Sequence, residues 1–146
     1  MTRIVFEDVS KVYGDRPRQV QEAMALLRQN VPSDEIFART GCRVGLRHIS
    51  LEIPSGGIFC VIGLSGSGKS TLVRHINRLI EPSCGRIQAC DIDVTALDAR
   101  GLREFRRARV SMVFQHFGLL PHLTVMQNTC FGLRVRGLSA KEQRER

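Results

Sequence analysis

Along this chain the spacing of apolar and polar positions changes period several times. Residues 3–9 alternate loosely, with Ile4, Phe6 and Val9 set against Val5, Glu7 and Asp8, which predicts a strand that Tyr13-Gly14 breaks. Residues 17–30 place Val20, Ala23, Met24 and Leu27 on one helical face. Pro32-Ser33 ends that helix; Ser33 is positioned to cap a second, short helix over 34–39, and Gly41 stops it. Alternation returns over 46–53, ahead of a turn at Pro54-Ser55-Gly56-Gly57. Residues 58–62 are an unbroken apolar run, which predicts a strand buried on both faces of a parallel sheet. A loop over 63–68 leads into a helix over 70–79 that carries Leu72, Ile76 and Leu79. A strand is expected over 86–89, a basic helix over 98–109 and a second compact apolar strand over 110–114. A loop over 115–123 and a helix over 124–131 follow, and Ser139 with Glu142 makes a capping box that opens a last helix. Strands alternating with helices predict an α/β fold.

Composition narrows the class. The 146 residues are 42% hydrophobic and 25% charged, ordinary values that exclude a disordered chain, a collagen-like fibre and a disulfide scaffold. The length suits one domain. No apolar run is long enough to cross a bilayer, and the first ten residues carry Glu7 and Asp8 and no apolar signal core, so secretion by that route is not expected. Cys42, Cys60, Cys84, Cys90 and Cys130 form no C-x-x-C pair and are expected as reduced thiols, with Cys60 and Cys130 acting as small core hydrophobes. The net charge of +8 gathers at Arg100, Arg103, Arg106, Arg107 and Arg109, and again over 134–146. With one Tyr and no Trp, no aromatics interleave these arginines; solvated helix faces are expected, and no nucleic-acid partner. His48, His75, His116 and His122 form no metal pair and are expected to be solvated or hydrogen-bonded.

The chemistry concentrates in Gly63-Leu64-Ser65-Gly66-Ser67-Gly68-Lys69-Ser70, which fits G-x-x-x-x-G-K-[ST] at every fixed position. Glycines let the backbone wrap an oxyanion without Cβ clashes, and successive N–H groups then form an anion nest. The helix that starts near Lys69 adds the positive end of its dipole. Lys69 supplies a point charge for β- and γ-phosphates, and the Ser70 hydroxyl suits Mg²⁺, which prefers oxygen ligands. Gln115 follows the expected strand 110–114 directly, at a carboxyl end where open α/β sheets bind ligands; its amide suits Mg²⁺ or a water, or is simply an exposed loop side chain. Tyr13, a lone aromatic after a strand, suits either base stacking or core packing.

Taken in order, Tyr13, the phosphate loop and Gln115 resemble the landmarks of the ATP-binding subunits of ABC transporters, from Ile4 to the C-terminus. The resemblance implies a P-loop NTPase fold of α/β class, binding ATP with Mg²⁺. It makes Tyr13 the adenine-stacking aromatic, residues 63–70 with Thr71 the Walker A loop, and Gln115, within Met112-Val113-Phe114-Gln115, the Q-loop glutamine. Lys69 and Gln115 would then act in catalysis, and Ser70 and Gln115 would hold the metal. Residues 63–71, 77–82 and 121–125, with Asn128-Thr129 and Phe131-Gly132, are similar to the glycine betaine/proline (osmoprotectant) import ATPases. So is an extra helical segment over about 16–45, where many ABC ATPases make a short turn; its sequence carries no ligand chemistry and it is expected as an added surface element. Cys90-Asp91 stands where that subfamily usually has an Asp-Gly type turn, and Asp tolerates left-handed backbone better than most residues.

The resemblance implies a membrane-embedded permease that meets residues 116–124, a second ATP-binding subunit, a solute-binding protein acting indirectly, and a place in the cytoplasm on the inner face of the plasma membrane. The family's signature motif, Walker B aspartate, catalytic glutamate and switch histidine fall beyond residue 146. The chain is therefore expected to be the N-terminal part of one such domain, with an incomplete sheet and aggregation-prone edges, binding nucleotide without efficient turnover alone. Two other classes compete. A small phosphate-loop kinase would need its own acceptor site, and a non-catalytic relic or basic binding module would bind with steep salt dependence unaffected by Lys69→Ala.

Overall fold

Alternating apolar positions and antiparallel neighbours build the first part of the structure, a computed structural model that describes residues 3–114 and 118–145. The chain divides into two compact units, Met1–Leu97 and Asp98–Arg146. In the first, β1 (Ile4–Tyr13), β2 (Arg43–Ile53), β3 (Cys84–Ala89) and β4 (Ile92–Asp93) form one antiparallel sheet in the order β2-β1-β3-β4. Phe6 pairs Leu51 on one side of β1 and Ile87 on the other, so this strand has both edges filled. The β3–β4 hairpin turns on Cys90 and Asp91, both left-handed, at φ 55° and 60°; Cys90 shares the strained conformation that Asp91 accepts more readily.

Between β1 and β2 come α1 (Pro17–Arg28) and α2 (Ser33–Thr40). Pro17 supplies the fixed φ favoured at a helix start, and Ala23, Met24, Leu26 and Leu27 are the buried face. In α2 the acidic Asp34 and Glu35 sit in the first turn and Arg39 in the last, as the helix dipole favours. Gly41 ends it in the left-handed conformation, at φ 70°. Pro32, not Ser33, occupies the N-cap; Ser33 Oγ accepts instead from the Arg47 guanidinium at 3.3 Å. These helices pack with Val12 and Cys42 into one core cluster, while Phe6, Val9, Leu46, Ile87 and Leu72 form a second beneath α3 (Lys69–Ile76).

Two expected strands are not formed. Residues 58–62 make no ladder, and Ile58 and Ile62 are 95% and 92% exposed. Cys60, expected in the core, is exposed. Residues 110–114 also lie outside any strand, with Val113 exposed. A strand buried on both faces needs a hydrogen-bonded neighbour at each edge and cover on each face. Among the described residues neither run has a paired neighbour, and the sheet that does form is antiparallel.

In the second unit Asp98 caps α4 (Ala99–Ala108), accepting from the Gly101 N–H at 2.7 Å; Phe105 is its buried residue and most of its arginines are exposed. The expected helix 124–131 becomes α5 (Val125–Thr129) and α6 (Phe131–Val135), begun by a Thr124/Gln127 capping box. Ser139 and Glu142 cap α7 (Ala140–Glu145) reciprocally, as the spacing predicts. Cys130 is buried. Among the described residues no helix is long and apolar enough to cross a membrane.

Candidate functional site

The glycine-rich loop runs from the end of the 58–62 segment into α3. Its last glycine, Gly68, is the left-handed N-cap of that helix, at φ 90°. A Cβ there would meet the Gly45 carbonyl oxygen at 2.6 Å, so only glycine lets the loop lie this close to β2. Gly45 is equally confined on its other side, where an added Cβ would come within 2.5 Å of the Tyr13 ring. The ring therefore lies over a bare stretch of β2 backbone. Its hydroxyl shares a 3.2 Å hydrogen bond with Thr71 Oγ1 in α3, and the Lys11 ammonium sits 5.2 Å from its centroid. Tyr13 is thus partly exposed rather than a core residue.

Lys69 folds back on the loop, donating to the carbonyl oxygens of Gly63 at 2.8 Å and Leu64 at 2.5 Å. Ser67 Oγ lies 3.4 Å from the same ammonium. These are weak exposed acceptors, and an anion offering several charged oxygens would displace them. Thr71 gives its backbone oxygen to His75 Nδ1 at 2.6 Å, which fixes the first turn of α3.

One cavity of about 440 Å³ takes in Tyr13, Gly66, Gly68, Lys69, Ser70 and Thr71. That volume is in the range of small-molecule sites. Gly63, Leu64, Ser65 and Ser67 belong to the same loop but do not line the cavity; Leu64 is exposed. Gln115 lies outside the described residues, as does His116. The residues before Gln115 do not form the strand whose carboxyl end was expected to carry it.

The structure adds a wall that sequence spacing alone did not reveal. Ser33, Asp34 and Phe37 of α2, with Arg43, Val44 and Gly45 of β2, line the same cavity. The inserted segment expected as a surface element is therefore part of the site's geometry. One signal was available: Phe37 falls beside Ile36 and Thr40, the buried face of α2, and so has no core position to fill. The Arg43 guanidinium lies over the Phe37 ring, 4.8 Å from its centroid. Lys69 and Asp34 both line the cavity, so it carries charge of both signs.

Comparison with known proteins gives a consistent result. Residues 46–146 match the family described as ABC transporter. Over 99% of its length the chain is 41% identical to the glycine betaine/proline betaine transport system ATP-binding protein ProV of Escherichia coli (strain K12), of which it covers 35%. It is 42% identical, over 99% of its length, to the glycine betaine transport ATP-binding protein OpuAA of Bacillus subtilis (strain 168), of which it covers 34%. The chain thus spans about a third of the length of these relatives. Among solved structures, a dimeric ATP-binding cassette in a post-hydrolysis state bound to ADP and Pi superposes with a TM-score of 0.74 at 26% identity, over 97% of this chain and 53% of that one.

Proposed function

Since the chain belongs to the ABC transporter family, we propose that it serves as an ATP-binding, energy-coupling part of an importer for osmoprotectants of the glycine betaine or proline type. The observation that carries the reading is the single cavity that joins the phosphate loop, Lys69, Ser70 and Thr71 to Tyr13. The glycine loop suits a triphosphate: Gly68 lets it close against β2, where any Cβ would meet the Gly45 carbonyl, and turn directly into the N-terminus of α3 beside Lys69.

In this reading the loop N–H groups and the N-terminus of α3 hold the phosphates, and Lys69 exchanges its carbonyl contacts for phosphate oxygens. Tyr13, anchored by Thr71, offers its ring to the adenine. Ser70 and Gln115 would hold Mg²⁺, which neutralises charge on the terminal phosphates when bound. Gln115 would also orient the attacking water. The 146 residues contain no run of four apolar residues ending in Asp, so nucleotide binding without efficient hydrolysis is expected of this chain by itself.

The partners follow the family: a membrane-embedded permease, a second ATP-binding subunit and, indirectly, a solute-binding protein, with the chain in the cytoplasm at the inner face of the membrane. The exposed apolar side chains of Leu119, Val125 and Met126 support a protein contact on this surface. Asn128 firms it, donating to the carbonyls of Leu120, Leu123 and Thr124 at 3.1 Å each.

The test is a titration with a fluorescent ATP analogue and Mg²⁺, run beside Lys69→Ala. Saturable binding that weakens at least about tenfold in the variant is expected from loss of a charge-assisted phosphate contact. Equal binding by both proteins would overturn the phosphate-site reading.

A further inference from the structure

From the wall that α2 adds to the cavity, we infer that the inserted segment joins Tyr13 in reading the nucleoside half of the ligand: the Arg43 guanidinium, the cross-strand partner of Tyr13 and supported by Phe37, adds a second flat surface for the base, and the Asp34 carboxylate accepts from ribose hydroxyls. The inference rests on the phosphate-site reading above and adds residues of the inserted segment to the nucleoside end that Tyr13 begins.

Three observations carry it. First, Phe37 and Arg43 are stacked on each other at 4.8 Å and both line the cavity, with Phe37 44% exposed. A guanidinium plane backed by an aromatic ring is a flat, weakly hydrated surface on which nucleobases stack well. Second, Asp34 is badly placed for a phosphate, which it would repel, and well suited to a hydroxyl-bearing group, to which it can only accept. The cavity therefore carries groups suited to each half of a nucleotide. Third, the wall is held by contacts of the fold itself. Ile36 is fully buried in the core cluster beside Val12, and Thr40 Oγ1 donates to the Ile36 carbonyl at 2.7 Å while accepting from the Cys42 N–H at 3.1 Å. From β2, Arg47 donates to the Val31 carbonyl at 2.6 Å just ahead of the helix. A wall held in this way spends little binding energy on ordering.

The experiment compares Mg·ATP, Mg·dATP and Mg·tripolyphosphate by calorimetric titration of the full chain and of Phe37→Ala, Arg43→Lys, Asp34→Asn and Lys69→Ala. Tripolyphosphate has the phosphates and no nucleoside. Phe37→Ala and Arg43→Lys are expected to weaken ATP about tenfold, the scale of one lost base stack, and to leave tripolyphosphate within about twofold. Arg43→Lys keeps the charge and removes the plane, so it separates stacking from simple attraction. Asp34→Asn is expected to shrink the preference for ATP over dATP. The inference is overturned if tripolyphosphate falls as far as ATP in the two platform variants, or if ATP binding is unchanged in them while Lys69→Ala weakens both ligands. If Lys69→Ala weakens neither, the phosphate-site reading fails first and this one with it. Phe37 is well exposed and Arg43→Lys is a mild change, so a normal melting temperature is expected for both and is checked alongside.

Discussion

Strand β1 and the run over residues 58–62 are both rich in apolar residues, yet they end in opposite places. Phe6 is 1% exposed, with Leu51 paired on one side and Ile87 on the other, whereas Ile62 is 92% exposed and pairs with nothing among the described residues. The difference is not hydrophobicity but the availability of partners. In β1 alternate side chains meet α3 and the neighbouring strands, and the backbone finds antiparallel strands on both edges. An all-apolar run asks for more, because it needs cover on two faces and ladder partners at depth. Paired backbone and a covered face, rather than apolar content, decide which segments stabilise the unit.

The largest effect expected from this comparison is a pair of truncations. Phe6→Ala empties a filled core and is expected to cost about 3–5 kcal/mol, enough to unfold much of the unit. Ile62→Ala removes more exposed than buried surface and is expected to cost under about 0.5 kcal/mol. Denaturant melts of the two variants measure the gap. Similar costs would mean that 58–62 is buried in solution and that the contrast between the two regions is wrong.

A smaller effect asks how far the order of the sheet reaches into the cavity. At Gly45 an added Cβ would meet the Tyr13 ring at 2.5 Å. Gly45→Ala is expected to cost about 1–3 kcal/mol as overpacking, or to swing Tyr13 out and loosen nucleotide binding. In a Tyr13→Ala background the added methyl has room on that side, so the penalty is expected to fall. A double-mutant cycle on melting and on ATP affinity checks both. A penalty that persists without the ring would place the clash elsewhere.

Local signals carried much of the fold. The amphipathic face of α1, the Gly41 stop, the Ser139 cap and the phosphate loop are each written within one helical turn or one turn motif, so spacing reveals them. Residues 58–62 and 110–114 were predicted as strands from apolar content, but whether a strand forms depends on distant partners that no window contains. The cavity shows the same limit. Its loop residues stand together in sequence, while Asp34 and Phe37 reach the site only because α2 folds back across β2. Their types are ordinary for a short exposed helix, so their chemistry could not be separated from a solvated face. Only the off-face position of Phe37 hinted at it.

The smallest effect concerns the seam between the two regions, where α3 carries the phosphate loop onto the sheet. His75 is fully buried there, with Nδ1 bonded to the Thr71 carbonyl and no hydrogen-bond partner for Nε2 among the described residues. Burial is the main cause that lowers its pKa below 6.5; nearby Lys11 adds to this, while the Thr71 bond and Glu81 act against it. The folded protein therefore keeps the ring neutral, and the unfolded chain takes up a proton near the ordinary value. The stability tied to this residue is whole above pH of about 6.5 and is lost as pH falls below that toward the depressed folded value. One proton sets the limit, at most about 1.4 kcal/mol per pH unit within that window. Denaturant midpoints of wild type across this range, beside His75→Asn, measure the slope, which the variant is expected to flatten. Ile62→Ala leaves this proton untouched and is expected to run parallel to wild type. If His75→Asn kept the wild-type slope, the acid sensitivity would belong to the carboxylates, and the seam would hold by packing alone.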